Sequence, residues 1–214
     1  MLQLLHLHKR FDTTPVFEDV SLTLAGGEFV ALLGESGVGK STLLNCIAGL
    51  EEADGGTVLI NGTPLATLDD RARARLRREH LGFVFQAFHV LPHLSVAHNV
   101  GLPLRLLGRL DERRVTQVID AVGLHGLGER LPAQLSGGQL QRVAIARAVV
   151  HAPGLILADE PTGNLDPATA AKVLEVLREQ VRSTGAACLL VTHSAAAAER
   201  ADRILRLTPR GIQT

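Results

Sequence analysis

Gly34-Glu35-Ser36-Gly37-Val38-Gly39-Lys40-Ser41-Thr42 decides how the rest of this 214-residue chain is read. The stretch satisfies the pattern G-x-x-x-x-G-K-[ST] at every defined position. Its flanks supply the context that pattern needs, with the apolar run Phe29 to Leu33 before it and Leu43 to Leu50 after it. Strand, loop and helix in that order turn backbone N–H groups inward around phosphates. They also let Lys40 reach the β and γ phosphates, and offer the Ser41 hydroxyl to magnesium at the positive end of a helix. A glycine loop without both flanks would carry no such meaning. Here residues 34 to 42 predict a nucleotide site.

The whole chain bounds what surrounds that site. At this length most of the unfolded chain's surface can be buried, and the reading is one P-loop core with an inserted subdomain. Lysine plus arginine number 22 and aspartate plus glutamate number 22, so the formal net charge is zero and nothing calls for nucleic acid as a partner. Cys46 lies in an apolar helix and Cys188 in an apolar strand, without metal spacing. Both read as buried free thiols in a reducing cytoplasm. No apolar run approaches the roughly 18 residues of a membrane span, and the N-terminus has no signal pattern. A membrane role would need a second chain.

Working outward, Met1–Leu7 and Val16–Leu24 read as strands joined through the turn-rich Asp12-Thr13-Thr14-Pro15, an antiparallel edge layer. Phe11, just before that turn, either presents its ring to a base or packs as a strand-end core residue. A short strand Thr57–Ile60 between Gly55-Gly56 and Asn61-Gly62 predicts a hairpin. The arginines at 71, 73, 75, 77 and 78, interleaved with acidic residues and lacking aromatics, read as a solvated helix face over Leu68–Glu79. Leu81–Phe85 is a strand ending in Gln86. Ser95 caps a helix to about Leu107, and Asp111 opens another whose Val115, Val118, Ile119 and Val122 form one apolar stripe. A helical insertion is thus expected over about 87–150, the part to residue 134 preceding Leu135-Ser136-Gly137-Gly138-Gln139. Strand Leu155–Ala158, helix Pro167–Arg182, strand Ala187–Val191, a short alanine-rich helix and strand Arg203–Leu207 complete an α/β alternation. Such a chain predicts a mostly parallel sheet with ligands at the carboxyl ends of its strands.

A second half of the site follows from one of those ends. Asp159-Glu160 closes an apolar strand, where a carboxylate can hold a magnesium ion's shell beside Ser41. With Leu135-Ser136-Gly137-Gly138-Gln139 about twenty residues ahead of it, the chain resembles the ATP-binding cassette (ABC) ATPases over nearly its whole length, as a single domain of residues 1–214. The resemblance implies roles for further residues. Phe11 would be the adenine-stacking aromatic and Gln86 the Q-loop glutamine, shared between catalysis and metal. Ser136, Gly137, Gly138 and Gln139 would be the signature, acting on the nucleotide of a second protomer. Asp166 would be the D-loop aspartate that couples the dimer, and His193 the switch histidine beside the catalytic Glu160. Ser41, Gln86 and Asp159 would hold magnesium. Ser136 and Gln139 also form an S-x-x-Q capping box, but two glycines inside a helix start make sense mainly where backbone must approach phosphate. A core position suits His6, His8, His80, His125 and His151 better than a ligand role. His89, His93 and His98 lack a partner that would complete a metal site.

Within the family, Ala158 to Asp166, Leu81 to Gln86 and Leu91-Pro92 resemble the lipoprotein-release and macrolide-export group, which includes a division-associated pair. Ser194 stands where aspartate usually follows the switch histidine, and His98 where glutamate commonly precedes Asn-Val. The resemblance implies a homodimer that sandwiches two ATP molecules with magnesium. Its hydrolysis cycle would drive separate transmembrane permease subunits from the inner face of the cytoplasmic membrane, for lipoprotein release or export. The alternative is a mechanical regulator of a membrane complex that moves no solute. A soluble cassette acting on DNA or ribosomes would need a coiled-coil insertion or tandem cassettes.

Overall fold

A computed structural model describes residues 1–213. The chain opens with strands β1 (Leu2–Phe11), β2 (Thr14–Leu24) and β3 (Phe29–Leu33), helix α1 (Lys40–Ile47), and the strands β4 (Gly55–Ile60) and β5 (Thr63–Pro64). There follow α2 (Asp70–His80), β6 (Leu81–Phe85), α3 (Val96–Leu106), α4 (Glu112–Ala121) and α5 (Gly137–Val149). The last third holds β7 (Leu155–Asp159), α6 (Pro167–Thr184), β8 (Ala187–Thr192), α7 (Ala195–Ala198), β9 (Arg203–Thr208) and β10 (Gly211–Gln213).

Ten strands make two sheets among the described residues. The larger has the order β10-β9-β3-β8-β7-β6 and is parallel except at β10. The smaller, β2-β1-β4-β5, is antiparallel throughout. Parallel strands must be covered on both faces, which explains the apolar runs of β3, β7 and β8. In β8, Cys188 and Leu190 enter the core formed with α3, α4, α5 and α6, while Ala187, Leu189 and Val191 enter a second core closed by α1 and the antiparallel sheet. The stripe Val115, Val118, Ile119 and Val122 is buried in the first core, as its helical spacing requires.

Three departures from the expected elements are explained by their neighbours in the fold. The turn between β1 and β2 is only Asp12-Thr13, because Phe11 pairs with Thr14 and Pro15 lies inside β2. A proline is tolerated there because β2 is an edge strand and its missing donor would have faced no partner. β1 runs on to Phe11 through bulges around His6, whose φ is 50°. The short strand β10 was not expected. It folds back on β9 through a turn in which the Thr208 hydroxyl donates to the Gly211 carbonyl at 2.9 Å. Gly211 then passes so close to β2 that a Cβ atom would lie 2.0 Å from the Asp19 carbonyl oxygen.

Candidate nucleotide site

Strand register puts the site together. Leu33 pairs with Thr192, Val191 with Asp159, and Asp159 with Phe85, so the carboxyl ends of β3, β8, β7 and β6 stand in one row. The residues that leave that row are Gly34, His193, Glu160 and Gln86. The last three border a cleft of about 440 Å³ lined by Ser36, Gly37, Gly39 to Thr42, Gln86, Asp159, Glu160 and His193. Four segments distant in sequence thus supply one cavity, at the sheet edge where parallel α/β proteins bind ligands.

The loop is shaped by its glycines. Gly39 has φ 98°, and a Cβ atom on it would sit 2.3 Å from a Val16 methyl, so both conformation and space demand glycine. Lys40 is 8 % exposed, and its Nζ donates to the Gly34 and Glu35 carbonyls at 2.9 Å each, 3.9 Å from Glu160 Oε1. The ammonium is therefore held across the loop by neutral acceptors, which phosphate oxygens can replace with a stronger charge-assisted bond.

Glu160 adopts the left-handed region with φ 47°, which costs a residue with a side chain about 1–2 kcal/mol. Its neighbours hold it there. Its N–H donates to the Val191 carbonyl at 2.9 Å, and Thr192 Oγ1 donates to Oε2 at 3.2 Å. His193 Nδ1 lies 2.8 Å from Oε1. A carboxylate only accepts, so that ring nitrogen carries the proton and Nε2 is left without one, in an exposed ring. Burial pushes the Asp159 carboxyl above its ordinary range, and the Glu160 charge adds to that. The Ser41 hydroxyl and the Lys40 charge oppose it. Gln86 Nε2 donates to Asn164 Oδ1 at 3.1 Å and Asn164 Nδ2 returns a bond to the Gln86 carbonyl at 3.2 Å.

Other residues singled out from sequence stand outside the cleft. Phe11 is 51 % exposed at the end of β1, which removes the core alternative, and the Lys9 ammonium lies 5.1 Å from its ring centre. Ser136 Oγ accepts from Gln139 N at 3.3 Å while Gln139 Oε1 accepts from Ser136 N at 2.8 Å, a complete capping box at the start of α5. Gly137 and Gly138 face Leu165 and Thr169, not the chain's own P-loop. Asp166 caps α6. Bonds from Thr169 and from the Ala168 backbone hold its carboxyl below the usual range.

Among the five histidines expected in the core, only His151 is buried, donating to the Leu81 carbonyl at 3.0 Å. Burial lowers its pKa. His8 is half-buried, whereas His6, His80 and His125 are exposed, His6 and His125 each 3.0 Å from an aspartate, Asp19 and Asp120. Each lies on a strand bulge, helix end or turn, where a polar ring needs no burial. Sequence reasoning overlooked Thr192 and Asn164. Both could have been suspected as polar residues one position from, or shortly after, a residue assigned to the site.

A family model described as "ABC transporter" matches residues 17–163. Among curated proteins, the lipoprotein-releasing system ATP-binding protein LolD of Bordetella pertussis is 45 % identical over 213 residues, covering 96 % of this chain and 92 % of that protein. The LolD protein of Maricaulis maris is 48 % identical over 194 residues, covering 89 % of this chain and 85 % of its own length. Among solved structures, a dimeric, post-hydrolysis ATP-binding cassette bound to ADP and Pi superposes with a TM-score of 0.89 at 35 % identity, covering all of this chain (100 %) and 97 % of that one.

Proposed function

Because the chain belongs to the ABC transporter family, we propose that it is the ATP-hydrolysing subunit of a lipoprotein-releasing transporter. It would sit peripherally on the inner face of the cytoplasmic membrane, held there by separate transmembrane permease subunits. The observation that carries the catalytic part is the cleft in which the P-loop, Gln86, Asp159, Glu160 and His193 meet at one sheet edge. Its assignment to lipoprotein release draws on likeness to the LolD proteins.

The chemistry follows from named atoms. Residues 34 to 42 receive the phosphates, and Lys40 exchanges its two carbonyl acceptors for phosphate oxygens. Glu160 takes the proton of the attacking water, with its carboxylate steadied by Thr192 and His193. His193 Nε2, once protonated, donates to the γ-phosphate. The Ser41 hydroxyl, the Asp159 carboxylate and the Gln86 amide oxygen, which Asn164 leaves free by taking Nε2, make an oxygen-only donor set that suits magnesium. When bound, magnesium would neutralise charge on the phosphates. The helices within 87–150 are read as an insertion in one domain. The signature residues 136 to 139 lie outside the chain's own cleft, so they are assigned to the nucleotide of a second copy, with Asp166 at the junction and Phe11 stacking on adenine.

Lys40→Ala tests the site most directly, because it removes the only cationic side chain lining the cleft among the described residues apart from the His193 ring. Titration calorimetry with Mg-ATP is expected to show at least about a hundredfold weaker binding, in keeping with loss of a charged, desolvated contact. Equal affinity in the two proteins would refute the assignment.

A further inference from the structure

The loop that carries Gln86 is held in an unfavourable conformation by one helix. Phe88 and His89 have φ of 60° and 47°, two consecutive residues with side chains in the left-handed region. The turn there is tight, with His89 N donating to the Ala87 carbonyl at 2.6 Å. Both strained carbonyls point at Arg147 of α5. Its Nη1 donates to His89 O at 2.6 Å and its Nη2 to Phe88 O at 3.0 Å. Among the described residues no carboxylate pairs with this guanidinium, and burial lowers its pKa. A mostly buried arginine without a counter-ion is costly, so the two carbonyls are the compensation that keeps it in place.

The same helix grips the loop at its other end. Gln141, fully buried at 0 % exposure, donates Nε2 to the Phe85 carbonyl at 3.3 Å, and its Oε1 has no partner. The carbonyl just before Gln86 and those two and three residues after it are therefore all held by α5, whose first turn is the signature Ser136 to Gln139. Asn164 holds Gln86 itself.

We propose that Arg147, seconded by Gln141, is a positioning residue for Gln86, so that displacement of the signature end of α5 reaches the catalytic cleft through side-chain bonds to the loop. This rests on Gln86 belonging to the ATP site. The mechanism needs no contact between Arg147 and nucleotide. The helix moves as a rigid body, the two carbonyls follow the guanidinium, and the Gln86 side chain shifts relative to Asp159 and Ser41.

The full-length chain tests this with Arg147→Lys, which keeps the charge but cannot hold both carbonyls in a planar fork, together with Gln86→Ala and the double variant. Arg147→Lys is expected to bind ATP within about twofold of the parent by calorimetry, and to hydrolyse it with KM unchanged and kcat down about tenfold. The double variant should be no slower than Gln86→Ala alone, because a positioning residue has nothing left to position. Gln141→Met, which leaves Arg147 untouched, should give a loss of about threefold with the same lack of additivity. Losses that multiply in the double variants would assign both residues to general packing and overturn the proposal. So would parental kcat in Arg147→Lys and Gln141→Met beside a slow Gln86→Ala. A Gln86→Ala protein at the parental rate would instead remove Gln86 from the site, and the proposal with it.

Discussion

Ser194 and His98 depart from the residues the family usually carries, and both turn out to sit at helix starts. Ser194 Oγ accepts from Ala197 N at 3.3 Å as the cap of α7, a task that serine and aspartate perform about equally well. Ser95 caps α3, and the His98 ring, at the position a capping-box glutamate would hold, bonds the Ser95 hydroxyl at 3.0 Å instead of its backbone N–H. Neither substitution touches the phosphate cleft. Ser194→Ala should therefore cost about 0.5–2 kcal/mol of local stability and leave most phosphate release intact. His193→Ala removes the ring that bonds Glu160 and should lower turnover by at least about a hundredfold, the usual scale for losing a positioned proton-carrying group. The opposite ranking in a phosphate-release assay would move the switch from residue 193 to 194.

The start of α5 serves packing and, in the proposed function, chemistry, and the two can be separated. A Cβ atom on Gly138 would lie 2.4 Å from Thr169 Cγ2, so α5 approaches α6 as closely as it does because there is no side chain at 138. Gly138→Ala gains about 1 kcal/mol of helix propensity but overpacks that contact at about 1–3 kcal/mol, and should lower the melting temperature by a few degrees. Thr169→Ser deletes the offending methyl and keeps the hydroxyl that bonds Asp166, so the double variant should recover the melting temperature. ATPase activity should stay low if backbone at 138 must also approach a phosphate. An active, fully stable Gly138→Ala would dispose of both readings. At this scale much was legible beforehand. Strand, P-loop and helix, the Val115–Val122 stripe and the Ser95, Asp111 and Ser136 caps are local patterns, and local patterns survive folding. What escaped reading depends on contacts distant in sequence. β10 needs β9 and the backbone of β2 to exist, Pro15 is permitted by an edge that only the sheet order defines, and the Gln86–Asn164 pair joins positions 78 residues apart. Of the exposed histidines, His6 and His125 escaped reading because their aspartate partners at 13 and 5 residues' separation carry no periodic signal.

As a whole, the molecule holds one cleft lined by Lys40, Gln86, Asp159, Glu160 and His193, and the glycine-rich residues 136 to 139 lie outside it. Among the described residues no helix is long and apolar enough to cross a membrane. The proposed two-copy arrangement can be tested by separating what binds ATP from what cleaves it. Glu160→Gln keeps the shape of the side chain, and its amide oxygen can still accept from His193 while its NH2 donates to the Thr192 hydroxyl, yet it cannot accept the water's proton. Lys40, Ser41 and Asp159 remain to bind nucleotide, and the opposing residues 136 to 138 remain to close over it. Binding should persist while turnover falls by at least about a thousandfold, and ATP should then bridge two chains for as long as it stays intact. Size-exclusion chromatography with light scattering is expected to show this variant as a homodimer in Mg-ATP and as a monomer without it, with the parent dimeric only briefly. Adding Ser136→Arg should abolish the dimer, because a long cation at the exposed cap of α5 blocks the face that receives the other copy's phosphates. A Glu160→Gln protein that stays monomeric at saturating Mg-ATP would sink the shared-site mechanism while leaving the cleft itself in place.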